Sequence, residues 1–411
     1  MADGLVIIGG SYAAANIAAA AREAGYQEPI RLVSAEPHLP YQRPPLSKGY
    51  LSGKVEASAL PLRAESWYRE TGVELLLGSA ATALDRGAGR VVLADGRQLS
   101  YGKLALATGA RPRPLTVPGA GLRGVLGLRD LADADAIRDR MGAVDRVVII
   151  GGGFIGLEIA ATLALAGRHV TVLEAQDRLL ARAVAPVLSN FLASVHRDNG
   201  VIFRFGARVT GLVGDAGHVV GVCLADGDIL PAGLVLVGIG ALPNQELAQA
   251  AGLACNDGIL VDAAARTGDP AIVAAGDCTR HPNPHAGGGL IRLESVQHAN
   301  DQAKVAGAAV AGQPRTYDAV PWFWSDQYGF KLQMAGLARG ADMSVPRGMI
   351  RDGKFSLFHF RGGQLVAVES VNRPGDHIQA RRLLAAGLSP TPAQAGDADF
   401  DLKALSARQA G

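Results

Sequence analysis

Two segments of this chain share one pattern: a short apolar strand, a glycine-rich turn, an alanine-rich helix and a second strand that ends in an acid. The segments span residues 5–36 and 147–174. Strand and helix periods alternate in the same order in both, which is typical of a duplicated strand-helix-strand unit that forms a parallel sheet. The repeat predicts the α/β fold class with two Rossmann-like domains.

The second unit carries the complete G-x-G-x-x-G spacing at Gly151, Gly153 and Gly156, directly after an apolar strand. The first glycine makes the turn, the second lets a pyrophosphate approach the backbone, and the third lets helix and strand pack closely. Glu174 ends the next strand, where a carboxylate can accept hydrogen bonds from both adenosine ribose hydroxyls. We interpret the unit as a dinucleotide-binding domain; the alternative is a turn that only connects strand and helix.

Glu174 also indicates which nicotinamide cofactor is used, because its negative charge repels a 2′-phosphate. The sequence therefore favours NADH over NADPH. Arg178 lies close along the chain and could pair with such a phosphate, which leaves NADPH as the alternative.

The first unit is less regular, because Ser11 stands where the second glycine belongs and Ala14 where the third belongs, after Gly9. Alanine is accepted at the third position. Ser11 adds a β-carbon where a pyrophosphate should come close, so either the turn opens slightly or the hydroxyl itself contacts phosphate. Glu36 closes the unit as a candidate ribose ligand, with a solvated acid at a strand end as the alternative.

Composition narrows the class of protein. A chain of 411 residues exceeds what one core usually organises, and a net charge of +2 argues against a nucleic-acid partner. The longest apolar runs fall short of the roughly 20 residues that a membrane helix needs. Met1 is followed almost at once by the first strand, which leaves no room for a leader segment. We therefore expect a cytoplasmic protein with no membrane or nucleic-acid partner.

The cysteines and histidines argue against a metal site or a dithiol relay. The three cysteines are Cys223, Cys255 and Cys278. They form no Cys-x-x-Cys pair, and Cys278 is expected to be a packing residue. Three histidines lack partners at metal-ligand spacing and are predicted to lie on the surface or in loops: His281, His285 and His298.

The last part of the chain has a different character. Aromatic residues crowd together after Tyr317, among them Trp322, Trp324 and Tyr328. A predicted strand pair at residues 355–360 and 365–371 precedes a predicted helix near residues 378–386. This pattern predicts a third, smaller α+β domain at the C-terminal end.

Four segments together identify a family. They are EPHLPYQRPPLSK at 36–48, GDC at 276–278, PWFWSDQ at 321–327 and ESVNRP at 369–374. The sequence resembles the FAD-dependent NADH:ferredoxin reductases of oxygenase and cytochrome P450 systems, the rhodocoxin reductase and putidaredoxin reductase family. The resemblance covers essentially the whole chain. It implies a glutathione-reductase-like fold with a discontinuous FAD-binding domain (residues 1–111 and 235–318), an inserted NAD-binding domain (112–234) and a C-terminal domain (319–411).

The resemblance also implies which residues bind the cofactors. The positions expected to contact FAD are Gly9, Ser11, Ala14, Glu36, Arg43, Lys48, Ala81, Thr108, Arg129, Asp277, Val296 and Trp324. Glu294 and Gly240 match positions that line the nicotinamide side. Asp277 is a carboxylate that follows a strand and a glycine and can hold a ribitol hydroxyl, with a helix N-cap as the simpler reading.

Three residues are implied to act in the reaction itself. Lys48 and Glu158 match a lysine and glutamate pair beside the flavin. We expect an ion pair near the flavin N5 that rearranges when nicotinamide enters, and the alternative is a structural salt bridge between domains. Trp324 matches an aromatic residue near the isoalloxazine that shapes the face through which electrons leave, with packing alone as the alternative.

The implied activity is hydride transfer from NADH to FAD, followed by single-electron transfer to a [2Fe-2S] ferredoxin that feeds a cytochrome P450 or a ring-hydroxylating dioxygenase. No cysteine occurs before Cys223, so the dithiol of a disulfide reductase and the reactive cysteine of an NADH oxidase are missing from the flavin segment. Two alternatives stay open: a ferredoxin-independent reductase of quinones, rubredoxin or monodehydroascorbate, and a redox sensor of the apoptosis-inducing-factor type.

Ferredoxins are generally acidic, so a basic docking face is expected on this chain, which we predict to be a monomer. Residues 321–411 contain 11 Lys and Arg against 8 Asp and Glu, which permits such a face. The candidate docking residues are Arg339, Arg347, Arg373, Arg381 and Arg382.

Overall fold

A computed structural model describes residues 3–407, with side chains to residue 405. Met1, on which the expectation about a leader segment depends, lies outside the described residues. No described helix is both long enough and apolar enough to cross a membrane.

The strands are listed here in chain order. They are β1 (Leu5–Ile8), β2 (Ile30–Val33), β3 (Val73–Leu76), β4 (Ala81–Asp85), β5 (Arg90–Leu93), β6 (Gln98–Ser100), β7 (Lys103–Leu106), β8 (Ala110–Pro112), β9 (Val125–Leu126), β10 (Arg146–Ile150), β11 (His169–Glu174), β12 (Ile202–Phe205), β13 (Val209–Asp215), β14 (His218–Leu224), β15 (Ile229–Pro231), β16 (Leu234–Val237), β17 (Ala241–Pro243), β18 (Ile259–Leu260), β19 (Ile272–Ala274), β20 (Thr279–Pro282), β21 (Leu290–Ile291), β22 (Trp322–Gln327), β23 (Phe330–Gly336), β24 (Met343–Met349), β25 (Lys354–Arg361) and β26 (Gln364–Val371).

The α-helices connect these strands or pack on them. They are α1 (Tyr12–Glu23), α2 (Glu65–Glu70), α3 (Leu131–Met141), α4 (Phe154–Leu165), α5 (Pro186–Asp198), α6 (Glu246–Ala250), α7 (Val296–Val310), α8 (Pro374–Ala385), α9 (Pro392–Gly396) and α10 (Lys403–Ala407). Short 3-10 turns occupy Pro44–Ser47, Ala57–Ala59, Pro284–Ala286 and Ile350–Asp352.

The first repeat forms a parallel sheet in the order β19-β7-β1-β2-β3. All four residues of β1 are buried, because α1 and α7 cover one face of the sheet and the β4-β5-β6 sheet with α6 covers the other. The alanine-rich α1 packs closely against α7, where a β-carbon on Gly307 would lie only 2.7 Å from the Ala20 side chain. Small residues on both helices therefore allow this layer to lie tightly against the sheet.

The second repeat forms its own parallel sheet in the order β12-β11-β10-β16-β9. Strand β16 pairs with β10, so Leu234–Val237 belongs to this sheet although the predicted domain boundary falls at residue 234/235. An antiparallel ladder of β8 and β17 joins the two passages of the chain between the repeats. We propose that the inserted unit begins after Pro112 and ends before Ala241.

The C-terminal part is an antiparallel sheet in the order β22-β23-β26-β25-β24, with α8 packed on it. The two strands predicted here are each longer than expected by one or two residues, and α8 begins at Pro374, because proline suits the first helical turn. The predicted fold class, two Rossmann-like units followed by a C-terminal α+β domain, is confirmed.

Candidate functional site

The second glycine turn connects β10 to α4. Gly151 adopts φ +109°, and a β-carbon there would lie 2.4 Å from the carbonyl oxygen of Gly238. A β-carbon on Gly156 would lie 2.4 Å from the carbonyl oxygen of Gly151, and Gly153 is the N-cap of the helix. Only glycine fits the first and third positions, so the N-terminus of α4 stays open to a phosphate group.

Glu174 lies at the rim of this turn. Its Oε2 accepts a hydrogen bond from the Gly152 N–H at 2.8 Å, and its Oε1 accepts one from the Gln176 N–H at 2.8 Å. The Arg178 guanidinium instead donates to the carbonyls of Ala181 at 2.7 Å and Val184 at 2.9 Å. The carboxylate is thus fixed beside the turn, while the arginine that could pair with a 2′-phosphate is engaged elsewhere.

The first turn connects β1 to α1. Gly9 adopts φ +137°, and a β-carbon there would lie 2.1 Å from the carbonyl oxygen of Ala107. Ser11 is the N-cap of α1 but its hydroxyl caps no backbone N–H; it accepts a hydrogen bond from Arg43 Nε at 3.3 Å. Ala14 is fully buried. The serine hydroxyl keeps its own proton free to donate, which favours phosphate contact over an opened turn.

Glu36 is held in a polar cluster at the end of β2. Tyr41 Oη donates to Glu36 Oε2 at 2.5 Å, and Arg43 Nη2 donates to Glu36 Oε1 at 2.5 Å. Burial raises the pKa of Tyr41 far above its usual value, which keeps the phenol a proton donor. Arg43 also donates to the Arg129 carbonyl at 2.8 Å. Glu36 is therefore not a freely solvated acid.

Asp277 and Arg129 meet across the turn that follows β19, with Arg129 Nη2 at 3.1 Å from Asp277 Oδ2. The preceding Gly276 adopts φ +88° and lies against α1, where a β-carbon would come within 3.1 Å of the Ala13 side chain. Asp277 is not a helix N-cap, since Ser295 caps α7. The Asp277 and Arg129 pair therefore lies directly after a turn that packs against α1.

The other predicted cofactor positions lie around these turns. Thr108 Oγ1 donates to the Asn244 carbonyl at 2.6 Å, which links the two chain passages. Ala81 packs on the cluster that contains the carboxyl-terminal residues of β1 and β2, and Val296 is the first residue of α7. Gly240 adopts φ +108° with open space beside it. Glu294 is engaged by the neighbouring Arg292.

Lys48 and Glu158 form an ion pair, with Lys48 Nζ at 2.6 Å from Glu158 Oε2. Glu158 is 2% exposed and lies one turn into α4, whereas Lys48 follows the 3-10 turn of the first unit and is 22% exposed. Two serines also donate to this carboxylate, Ser47 to Oε2 at 2.6 Å and Ser325 to Oε1 at 2.6 Å. Together with Ser325, the ion pair joins all three parts of the chain. Its position beside a flavin stays a prediction.

Sequence reasoning missed both serines, although each lies inside a segment that identified the family. Ser47 directly precedes Lys48, and Ser325 directly follows Trp324. Along β22, Phe323 and Ser325 face α4, where Phe323 packs on Phe154 at 4.7 Å between ring centroids. Trp324 lies on the opposite face and is half-buried, with its ring 5.5 Å from that of Trp322.

Two expectations about buried groups are wrong. His281 and His298 are not surface residues: both are almost fully buried, with rings stacked at 4.7 Å, because β20 and α7 bring them together against the ring of Tyr317. Burial lowers the pKa of His281 to about 3 and that of His298 to about 4. Arg347 is no docking residue either, since it is 5% exposed and donates to the Ala398 and Phe400 carbonyls.

Cys278 and His285 lie where the sequence analysis expected them. Cys278 is fully buried as a packing residue, and His285 lies half-buried in a 3-10 turn. The described residues contain no group of three or more His, Cys, Asp or Glu placed to hold a metal ion.

The geometry of both turns fits a dinucleotide. Each turn has a glycine whose β-carbon would collide with a neighbouring backbone carbonyl, and each opens a 12-residue helix toward a phosphate. Each turn also has an acid at the end of the second strand of its unit, Glu36 and Glu174. The residues present at both turns therefore fit the pyrophosphate and ribose of a dinucleotide such as FAD or a nicotinamide dinucleotide.

Comparison with known proteins agrees with this geometry. Residues 3–303 match the family model described as pyridine nucleotide-disulphide oxidoreductase, and residues 322–406 match the model described as reductase C-terminal. The chain is 46% identical to rhodocoxin reductase from Rhodococcus erythropolis over 404 residues, which cover 98% of this chain and 94% of the relative.

Two solved structures superpose on nearly the whole chain. The ferredoxin reductase for the CYP199A2 system from Rhodopseudomonas palustris has a TM-score of 0.95 at 43% identity and covers 98% of this chain and 99% of its own. The covalent putidaredoxin reductase–putidaredoxin complex contains a chain with a TM-score of 0.95 at 41% identity, covering 99% of this chain and 98% of its own.

Proposed function

Because the chain belongs to the pyridine nucleotide-disulphide oxidoreductase family, we propose that it is an NADH-dependent ferredoxin reductase. The predicted family is confirmed, and the chain is an oxidoreductase that uses FAD and a nicotinamide dinucleotide. Its electron acceptor is a [2Fe-2S] ferredoxin that feeds a cytochrome P450 or a ring-hydroxylating dioxygenase. The observation that supports this best is full-length likeness, through the C-terminal domain, to a reductase solved in covalent complex with its redoxin.

The protein's own groups bind and orient the two dinucleotides. When bound, FAD accepts a hydride and releases electrons one at a time, which matches a two-electron donor to a one-electron acceptor. Asp277 and Arg129 hold the flavin side of FAD, and Glu36 and Ser11 hold its adenosine and phosphate side. Glu174 and the Gly151 turn hold NADH. Lys48 and Glu158 join the first unit to the inserted unit, and Trp324 precedes Ser325 on the C-terminal strand that reaches this ion pair.

Glu174 should set the preference for NADH over NADPH. In Glu174→Ser the ribose loses a charged hydrogen-bond acceptor, so kcat/KM for NADH should fall about 30-fold, given ~2 kcal/mol for such a bond. The value for NADPH should rise, because the repulsion is gone. Steady-state kinetics with each cofactor measure both changes, and Asp226→Ser, an exposed acid of the same unit, serves as the control. An unchanged ratio of the two values would place Glu174 outside the cofactor site.

The docking of ferredoxin should depend on exposed arginines of the C-terminal domain. Arg339, Arg381 and Arg382 are exposed, whereas Arg373 is paired with Asp376 at 2.9 Å. Reversing one rim charge in Arg382→Glu should raise KM for an acidic ferredoxin about fivefold at low salt and less at high salt. Ferricyanide reduction should not change. Arg69→Glu, at an exposed position of α2, is the matched control, and an equal effect of both variants would refute this docking face.

The two alternatives make different kinetic predictions. A ferredoxin-independent reductase would reduce a quinone or rubredoxin as fast as any ferredoxin, which stopped-flow mixing with each acceptor measures. A redox sensor would accept NADH slowly and hold a persistent charge-transfer complex. We further propose that the enzyme acts as a monomer in the cytoplasm; sedimentation of the FAD-bound protein measures the first point and cell fractionation the second.

A further inference from the structure

The carboxylate of Glu158 is the end of a longer hydrogen-bond chain. Beyond Ser325, the amide of Gln327 donates from Nε2 to Ser325 Oγ at 3.0 Å. Gln327 Oε1 lies 2.8 Å from His196 Nε2. His196 stands in the last turn of α5, in the inserted unit, while both polar partners lie on β22. The chain therefore leaves the inserted unit at α5, passes through the C-terminal sheet and returns to the inserted unit at α4.

Every member of this chain is buried, and most buried polar atoms in proteins are hydrogen-bonded. Exposure is 0% for His196 and Ser325, 3% for Gln327 and 2% for Glu158. A buried carboxylate is stable as an anion only where donors surround it. Glu158 has three: Ser47, Lys48 and Ser325.

The direction of each hydrogen bond is fixed from the carboxylate outward. Ser325 must donate its single proton to Glu158, because an ionised carboxylate only accepts. Ser325 Oγ therefore accepts from Gln327, which places the amide nitrogen toward the serine and the amide oxygen toward His196. His196 in turn must carry its proton on Nε2. Its Nδ1 has no partner among the described residues, and burial lowers the pKa of His196, so a neutral ring with one donor fits the site.

We propose that His196, Gln327 and Ser325 are positioning residues that orient the Glu158 carboxylate and, through it, Lys48 Nζ. This inference rests on the proposed function, because it assigns a role to residues behind the same ion pair. Lys48 follows a short 3-10 turn, and among the described residues Glu158 is the charged group that pairs with its Nζ. If the Glu158 carboxylate could rotate, the Lys48 ammonium would move with it. His196 in α5 therefore controls the position of the Lys48 ammonium.

Packing around His196 supports a fixed ring. Tyr328, directly after Gln327, adopts φ +50° at the end of β22 and sets its ring 4.9 Å from that of His196, edge to face. Phe203, on strand β12 of the same inserted unit as His196, packs on the imidazole with 5.9 Å between ring centroids. The imidazole is thus held between a C-terminal turn and the inserted sheet, and its Nε2 points at Gln327.

A pair of variants at His196 isolates the donor. His196→Gln places an amide N–H near the position of Nε2, whereas His196→Met has similar volume and no donor; both lose the aromatic ring. The limiting rate of FAD reduction by NADH, measured anaerobically in a stopped-flow instrument, should fall about threefold in His196→Met and return to nearly the wild-type value in His196→Gln. In Ser325→Ala, which removes the hydroxyl that bonds the carboxylate directly, the same limiting rate should fall about tenfold.

A matched pair of glutamine variants controls for buried-core damage. Gln327→Met should behave like His196→Met, while Gln379→Met, at a site of 6% exposure in α8 of the same domain, should behave like the wild type. If these residues had only a structural role, the melting temperature would change in the His196 pair and in the glutamine pair. The rate of FAD reduction would then be the same for the two members of each pair.

The reduction potential of bound FAD, measured by dye equilibration without NADH, gives a second readout. We expect it to shift to lower values in Ser325→Ala and His196→Met and not in His196→Gln, because a loosened ammonium stabilises negative charge less. Equal rates and equal potentials for His196→Met and His196→Gln, both at the wild-type value, would overturn the inference and leave the proposed function intact. If NADH does not reduce the wild-type protein, the proposed function is wrong. The reduction potentials of bound FAD alone would then decide the inference.

Discussion

Lys48→Met should slow reduction of the bound FAD by NADH about 100-fold while FAD stays bound. The substitution keeps the length of the side chain but removes the charge that lies 2.6 Å from Glu158 Oε2. It leaves the Glu158 carboxylate, which is 2% exposed, without its cation. When the ammonium acts in the transition state, its loss raises the activation free energy by ~3 kcal/mol. Anaerobic stopped-flow absorbance gives the limiting rate and the NADH dissociation constant separately.

Lys54 provides the matched control for this variant, because it lies in the same segment and is exposed. Lys54→Met should leave both constants at the wild-type values. If Lys48→Met also keeps the wild-type limiting rate, the pair with Glu158 is a salt bridge between parts of the chain and nothing more.

Single methyl groups at two glycines should separate the two cofactor sites. Gly9→Ala would set a β-carbon 2.1 Å from the Ala107 carbonyl oxygen, at φ +137°, and should yield protein that retains no FAD. Gly151→Ala would set one 2.4 Å from the Gly238 carbonyl oxygen and should yield protein that is still yellow but binds NADH about 100-fold more weakly. FAD content and NADH titration measure the two losses.

The control for the glycine variants is Gly25→Ala, at φ +87° with nothing near the added carbon. It should cost roughly 1 kcal/mol of stability and leave both cofactors bound. Circular dichroism reports whether Gly9→Ala folds. Loss of FAD from Gly151→Ala, with FAD kept in Gly9→Ala, would mean that the two turns are assigned to the wrong dinucleotides.

Much of the fold follows from local patterns in the sequence. The glycine spacing at Gly151 and the acid at Glu174 recur in the structure as a turn and a carboxylate bonded to it, because both depend on residues within one strand-helix-strand unit. Strands β25 and β26 of the C-terminal sheet were also predictable, since each is a short, mostly apolar segment that is buried along most of its length.

Contacts between distant parts of the chain could not be read in the same way. Ser325 reaches Glu158 across the sequence, and nothing in the residues around either one indicates the partner. His298 and Arg347 look like surface residues by type, yet His281 and Tyr317 pack on the His298 ring, and the C-terminal segment covers Arg347. Ser11, which stands where the pattern expects glycine, is a further example, because its contact with the Arg43 guanidinium is visible only in the structure.

The measurement that tests the central claim most directly is an anaerobic titration of the purified protein with NADH, followed by mixing with an acidic [2Fe-2S] ferredoxin. We predict a yellow protein whose flavin absorption is bleached by one equivalent of NADH, and which then reduces two equivalents of ferredoxin. A colourless protein that takes up no FAD, or a yellow one that NADH leaves oxidised, would contradict the claim that the chain binds two dinucleotides, one at each glycine turn, and transfers electrons between them.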